Sequence, residues 1–224
     1  ACSARPEDRT MTCQMPNEAS PSRLALVLDI DGTLIDSSSF DTVIHKRPGV
    51  DVFLDDAFAS CTAVALWTNA SSRWAEAVVD ILRDASGELR PWAFVWSSLR
   101  ASWRPAWQDC TDDYYNKGSR IKKLCKVWRG AARASAGFTR DRTLIIEDPP
   151  SNCSRNYGNA IIVPTFEHGG ASMDDVLLHL SMYLRSLVQQ VRCKGSVRCI
   201  EKRSWLEESV ECSDTEASSC HTLP

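Results

Sequence analysis

The chain has 224 residues, 43% apolar and 25% charged, with 10 Gly and 10 Pro, a profile that excludes collagenous, low-complexity and wholly disordered classes. Its net charge of −3 offers no bulk attraction to nucleic acid or anionic membrane. The longest aliphatic stretches, Leu24–Leu28 and Thr62–Trp67, fall far short of a membrane span, and no secretory signal pattern opens the sequence.

Residues 1–22 are rich in Pro, Ser, Thr, Glu and Arg without periodicity and read as a disordered tail. Leu24–Ile30 follows as a continuous apolar strand ending in acid. Arg47-Pro48-Gly49 reads as a turn feeding a helix with Phe53, Leu54, Ala57 and Phe58 on one face. A second strand is expected at Cys61–Thr68, then a helix capped at Ser71–Ser72 that presents Trp74, Val78, Ile81 and Leu82. Ala93–Ser97, Thr143–Ile146 and Ala160–Val163 complete five strands. Runs apolar at every position suit strands covered on both faces, as in a parallel sheet. A last helix carries the stripe Val176, Leu177, Leu180, Leu184, Leu187 and Val191, opened by Asp174 and Asp175 at the positive end of its dipole. Alternating strands and helices predict one doubly wound, mostly parallel α/β domain over residues 23–192. Residues 193–224 are expected to form a mostly flexible C-terminal tail, and no internal repeat is visible.

The 10 Cys contain no C-x-x-C pair, and Cys2, Cys13, Cys212 and Cys220 lie in polar termini where a disulfide framework would hold little together. Reduced thiols in a nuclear or cytoplasmic protein are the simpler reading. No Cys follows a His as a cysteine phosphatase requires, and Walker, G-x-S-x-G and H-E-x-x-H patterns are absent from the sequence. His45, His168, His179 and His221 show no ligand spacing.

Two strands instead end in paired acid: Asp29-Ile30-Asp31-Gly32-Thr33 after the first, and Glu147-Asp148 after the fourth. Ligands of open parallel sheets gather beyond the carboxyl ends of strands. Where the first strand unwinds, Asp29 and Asp31 can turn toward one pocket, with Gly32 permitting the bend and Thr33 capping it. Carboxylates converging there repel one another unless a cation sits between them. Donors that are all oxygen point to Mg²⁺ with a phosphate beside it. Taken singly, each acidic pair is more often a turn; the joint pattern is much harder to dismiss.

These residues resemble the D-x-D-G-T signature of haloacid-dehalogenase-like phosphatases, and more narrowly the FCP/SCP, NLI-interacting-factor-like branch of C-terminal-domain phosphatases. Supporting residues are Arg47-Pro48-Gly49, Leu66-Trp67-Thr68-Asn69-Ala70-Ser71, Ile121-Lys122-Lys123-Leu124 with Val127-Trp128, Leu144-Ile145-Ile146-Glu147-Asp148-Pro149-Pro150 and Asn159-Ala160-Ile161. The resemblance covers about residues 24–190. It implies a phosphoserine/phosphothreonine protein phosphatase, Mg²⁺-dependent, whose best-known family substrate is the RNA polymerase II C-terminal repeat. Asp29 would be the nucleophile that forms an aspartyl-phosphate, and Asp31 the general acid and then base, its backbone carbonyl facing the metal. Thr33, Thr68 and Asn69 would bind substrate, and a lysine would balance the charge of the transferred group. Lys122 matches that lysine through the following Leu124 and Val127-Trp128; Lys117 is the competing register. Asp29, Asp31 and Asp148 would hold the metal. Glu147 stands where the branch usually has Asp, one methylene longer.

The short stretch from Asp31 to Thr68 leaves no room for a large cap, and an open site favours phosphate carried on proteins. Between the second and third motifs stand Trp92, Trp96, Trp103 and Trp107. They are read equally as a peptide-binding surface or as the small core of an insertion. A competing function is a non-catalytic phosphopeptide-binding scaffold on the same fold.

Overall fold

The computed structural model describes residues 24–36, 43–104, 119–170, 174–207 and 209. Its centre is a five-stranded sheet in which every neighbouring pair is parallel. The strands are β1 (Ala25–Leu28), β4 (Ala63–Trp67), β5 (Val95–Trp96), β8 (Thr143–Glu147) and β9 (Ala160–Ile162). They stand in the order β5-β4-β1-β8-β9. Each coincides with one of the five apolar runs of the sequence, and β1, the central strand, is buried throughout.

Strand alternation sorts the side chains to two faces. Leu26, Leu66, Leu144 and Ile146 meet α1 (Val50–Ser60), α2 (Ser72–Ile81) and α5 (Val176–Lys194) through Phe53, Leu54, Val78, Leu180 and Leu184. On the other face, Val27, Ala65, Trp67 and Ile145 pack on Leu124, Val127 and Phe138. These belong to the segment holding the short helices α3 (Cys125–Trp128) and α4 (Ala131–Ser135). Each large apolar side chain buried here contributes about 1.5–3 kcal/mol, which favours a sheet covered on both sides. The fold is the expected doubly wound α/β class.

Ser71 caps α2, its hydroxyl accepting from the Trp74 amide at 3.2 Å, and Asp174 accepts from the Val176 amide at the start of α5. Two antiparallel pairs, too short to leave a periodic trace in the sequence, complete the fold. β2 (Ile35–Asp36) pairs with β3 (His45–Lys46), and β6 (Ser102–Arg104) with β7 (Ser119–Ile121). Helix α5 runs past residue 192 and ends at Gly195, whose φ of 77° suits a left-handed helix stop. Beyond it Val197, Ile200 and Trp205 are buried, and the Trp205 indole donates to the Ile162 carbonyl at 2.8 Å. The packed chain therefore continues beyond the boundary expected at 192. Isolated apolar anchors hold it there, and such anchors carry no periodic signal. No helix among the described residues is long and apolar enough to cross a membrane.

Candidate active site

The register places Leu28 level with Leu66 and Ile146, so β1, β4 and β8 end together. Asp29, Thr68 and the Glu147-Asp148 pair consequently emerge at one edge. They surround a cleft of about 190 Å³ lined by Asp29, Asp31, Thr68, Asn69, Asp148 and Asn152, with Ala70 and Pro149. Gly32 turns the chain out of β1 with φ 78°, and a side chain there would collide with the Asp148 carboxylate. A left-handed backbone and a close neighbour both demand glycine at this position.

Lys122 follows β7 and is fully buried. Its ammonium bonds Asp29 Oδ1 and reaches Glu147 Oε2 at 2.7 Å. The backbone of Lys122 is held on both sides: its amide donates to the Asn152 carbonyl at 2.9 Å, and its carbonyl accepts from Asn156 Nδ2 at 2.7 Å. Asn152 Nδ2 also donates to Glu147 Oε1 at 2.8 Å. Both Glu147 oxygens are thus engaged inside the protein. Burial pushes the lysine toward neutrality, but the Asp29 and Glu147 charges outweigh it and raise its pKa, so it stays an ammonium. Glu147 is pushed up by burial and then by the Asp29 charge. Of the two lysine registers, Lys122 touches Asp29; Lys117 lies outside the described residues.

Asp148, half-buried, accepts from Thr165 Oγ1 at 3.1 Å. Burial, then the nearby Asp29 charge, raises its carboxyl to about 6. Oxygens of Asp29, Glu147 and Asp148 come within 4.8 Å of one another. Anionic oxygens gathered this closely, with the Glu147 and Asp148 carboxyls both displaced upward by burial and by the Asp29 charge, fit a hard divalent cation such as Mg²⁺.

Asp31 faces the cleft from the other side. Its carboxylate accepts the Trp74 indole N–H at 3.0 and 3.2 Å and the Thr68 hydroxyl at 3.2 Å. The Asp31 carboxylate falls outside the acidic group formed by Asp29, Glu147 and Asp148. Asn69 lines the cleft, and its carbonyl accepts from Arg120 Nη1 at 3.1 Å. Thr33 does not reach the cleft: it is fully buried, and its carbonyl accepts from Arg47 Nη1 at 3.2 Å. Arg47 in turn pairs with Asp174 at 3.0 Å, bracing the turn behind Asp29 and Asp31 against α5. Of the tryptophans, Trp96 is buried in the second core, Trp92 is half-buried against the first, and Trp103 is exposed; Trp107 lies outside the described residues. Trp74, Asn152 and Asn156 had no motif to announce them in the sequence.

The model of the NLI interacting factor-like phosphatase family matches residues 24–194. No curated protein is matched. Among solved structures, Fcp1, described as an essential RNA polymerase II CTD phosphatase, is 17% identical, with 86% of this chain and 54% of that one covered and a TM-score of 0.43. The fission yeast RNA polymerase II CTD phosphatase Fcp1 bound to beryllium fluoride is 16% identical, with 88% and 64% covered and a TM-score of 0.44. The chain thus spans 54% and 64% of the lengths of these two structures.

Proposed function

The chain belongs to the NLI interacting factor-like phosphatase family, and from that premise we propose that it hydrolyses phosphoserine and phosphothreonine on proteins through an aspartyl-phosphate at Asp29. The observation that carries this reading is the buried Lys122 ammonium bonded to Asp29 Oδ1 at the end of β1. One oxygen of the nucleophile is fixed and the other is left for phosphorus. As the Asp29–phosphorus bond forms and the serine oxygen departs, Asp31 delivers a proton to that oxygen. In the second half-reaction Asp31 takes a proton from water, whose oxygen bonds phosphorus while the bond to Asp29 breaks. Lys122 balances negative charge on the transferred group, and Thr68 and Asn69 orient its oxygens. Asp29 and Asp148, with the Asp31 carbonyl, would hold Mg²⁺, which when bound offsets the charge of phosphate and carboxylates. The short stretch from Asp31 to Thr68 leaves no room for a large cap, which favours phosphate groups on protein segments, the RNA polymerase II C-terminal repeat among them. The nucleus or cytoplasm is the proposed setting, supported by free Cys125 and Cys153.

Hydrolysis of a phosphoserine peptide, measured with and without chelator and in Asp29→Asn, tests the proposal. Chelator and substitution should each abolish turnover, and fluoroberyllate should form an adduct at Asp29. Phosphopeptide binding with no turnover would make the chain a scaffold instead.

A further inference from the structure

The net charge of −3 hides a strong separation of sign. Residues 93–104 and 119–140 contain no Asp or Glu, yet hold Arg100, Arg104, Arg120, Lys126 and Arg133 beside the buried Lys122. Elsewhere Arg47, Arg83, Arg90, Arg185 and Arg203 each pair with a carboxylate. Among the described residues, Arg100, Arg104, Arg120, Lys126 and Arg133 form no such pair.

Four of these side chains, Arg120, Lys126, Arg100 and Arg133, form a track that starts at the mouth of the cleft. Arg120 touches the carbonyl of Asn69, a cleft residue, at 3.1 Å. Across the β6–β7 ladder it is paired with Trp103 on the same face, while Arg104, the next residue along, points to the opposite face. Lys126 follows, its ammonium donating to the Arg100 and Ala101 carbonyls at 2.7 and 3.3 Å. Arg100 and Arg133 lie over the Trp96 ring at 5.4 and 5.0 Å. Stacking on an indole holds the Arg100 guanidinium in place without neutralising it, whereas Arg133 also donates Nε and Nη2 to the Val127 and Lys126 carbonyls and contributes charge alone. Leu99 and Trp103, 84% and 63% exposed, add apolar area along the same track.

We infer that this track is a docking surface for an acidic stretch of the substrate protein, one in which Asp and Glu are interspersed with apolar residues and which flanks the phosphorylated serine. The inference rests on reading the cleft as a phosphoserine site. Fixed guanidinium forks match carboxylates geometrically, and the exposed Leu99 and Trp103 favour a polypeptide with side chains to bury over a polynucleotide. Continuity with Asn69 lets one extended segment fill cleft and track together.

The test separates docking from catalysis by measuring binding without turnover. Labelled peptides carrying a non-hydrolysable phosphonate analogue of phosphoserine, flanked by acidic, neutral or basic residues, are titrated with the full chain in Mg²⁺ by fluorescence anisotropy. Several exposed charge pairs together predict about tenfold tighter binding of the acidic-flanked peptide at low ionic strength, shrinking as salt is added. Arg100→Gln combined with Arg120→Gln should remove most of that preference. Arg100→Glu combined with Arg120→Glu should reverse it toward the basic-flanked peptide, which a merely misfolded variant would not do. Equal binding of acidic and neutral flanks, a preference that survives both variants, or displacement of the acidic peptide by a single-stranded RNA oligonucleotide would overturn the inference. Absence of hydrolysis on the corresponding phosphoserine peptide, with the binding preference intact, would count against the phosphatase reading alone.

Discussion

Asp29 has two very different sides. Toward Lys122 the surroundings are dry and crowded: Lys122 and Glu147 are fully buried, and Asn152 and Asn156 clamp the lysine backbone. Toward the cleft, Asp148 is half-buried, and Asp31 is held by Trp74 and Thr68. In the dry half a charge is tolerated only because its partner is already in place, so structure and charge balance are inseparable. In the wet half the same residue types can exchange ligands and protons at little structural cost. Substitutions on the two sides should therefore separate stability from turnover.

The largest effect is expected in the dry half. Lys122→Met keeps most of the volume but leaves Asp29 and Glu147 as buried like charges, an uncompensated arrangement that costs about 3–5 kcal/mol. Urea unfolding should register that loss, and phosphoserine-peptide turnover should disappear with it. Undiminished stability would mean that the lysine is not holding the two strand ends together.

Asp31→Asn probes the wet half. The amide oxygen still accepts from Trp74 and the amide NH2 donates to the Thr68 hydroxyl oxygen in place of the reverse bond, so unfolding free energy should change by no more than about 1 kcal/mol. Turnover of a phosphoserine peptide should fall about 10²–10⁴-fold through loss of the proton donor. An aryl phosphate, whose leaving group needs little protonation, should lose much less. Equal losses on both substrates would remove Asp31 from the acid role.

How much of this division could be read in the sequence differs between the two halves. The five strands were legible because both faces of the sheet are covered, which makes each strand apolar at every position. The acids were legible because they interrupt those runs at their carboxyl ends; Thr68 was reached only through the family resemblance. The dry half was mostly hidden. Asn152 and Asn156 sit in irregular chain after β8 and gain their roles only by meeting Lys122 across the fold. Trp74 looked like one more apolar residue on the face of α2, although its indole N–H points at Asp31. Thr33, adjacent to the acids in sequence, turns inward because the Gly32 turn carries it away from the cleft.

A smaller effect concerns pH. Asp148 titrates near 6 in the ion-free protein, raised first by burial and then by Asp29. Below that pH it is protonated, and a divalent cation must displace the proton to bind. Apparent Mg²⁺ affinity, measured by calorimetry, should be flat above pH 7 and weaken by up to about tenfold per unit below pH 6. Asp148→Asn should remove this dependence along with most of the affinity.

The smallest effect tests the extra methylene of Glu147. That side chain spans from the end of β8 to Lys122 on one oxygen and Asn152 on the other, at 2.7 and 2.8 Å. Glu147→Asp withdraws the carboxylate by one carbon, removing a buried methylene worth about 1 kcal/mol and stretching both contacts. Lys122 keeps its bond to Asp29 and its backbone clamps, so the lysine should stay in place. A net destabilisation of about 1–2 kcal/mol is expected, well short of the Lys122→Met loss. If shortening the chain instead matched Lys122→Met in cost, Glu147 rather than Asp29 would be the principal counter-charge of the lysine. The dry half would then be organised around β8 instead of β1.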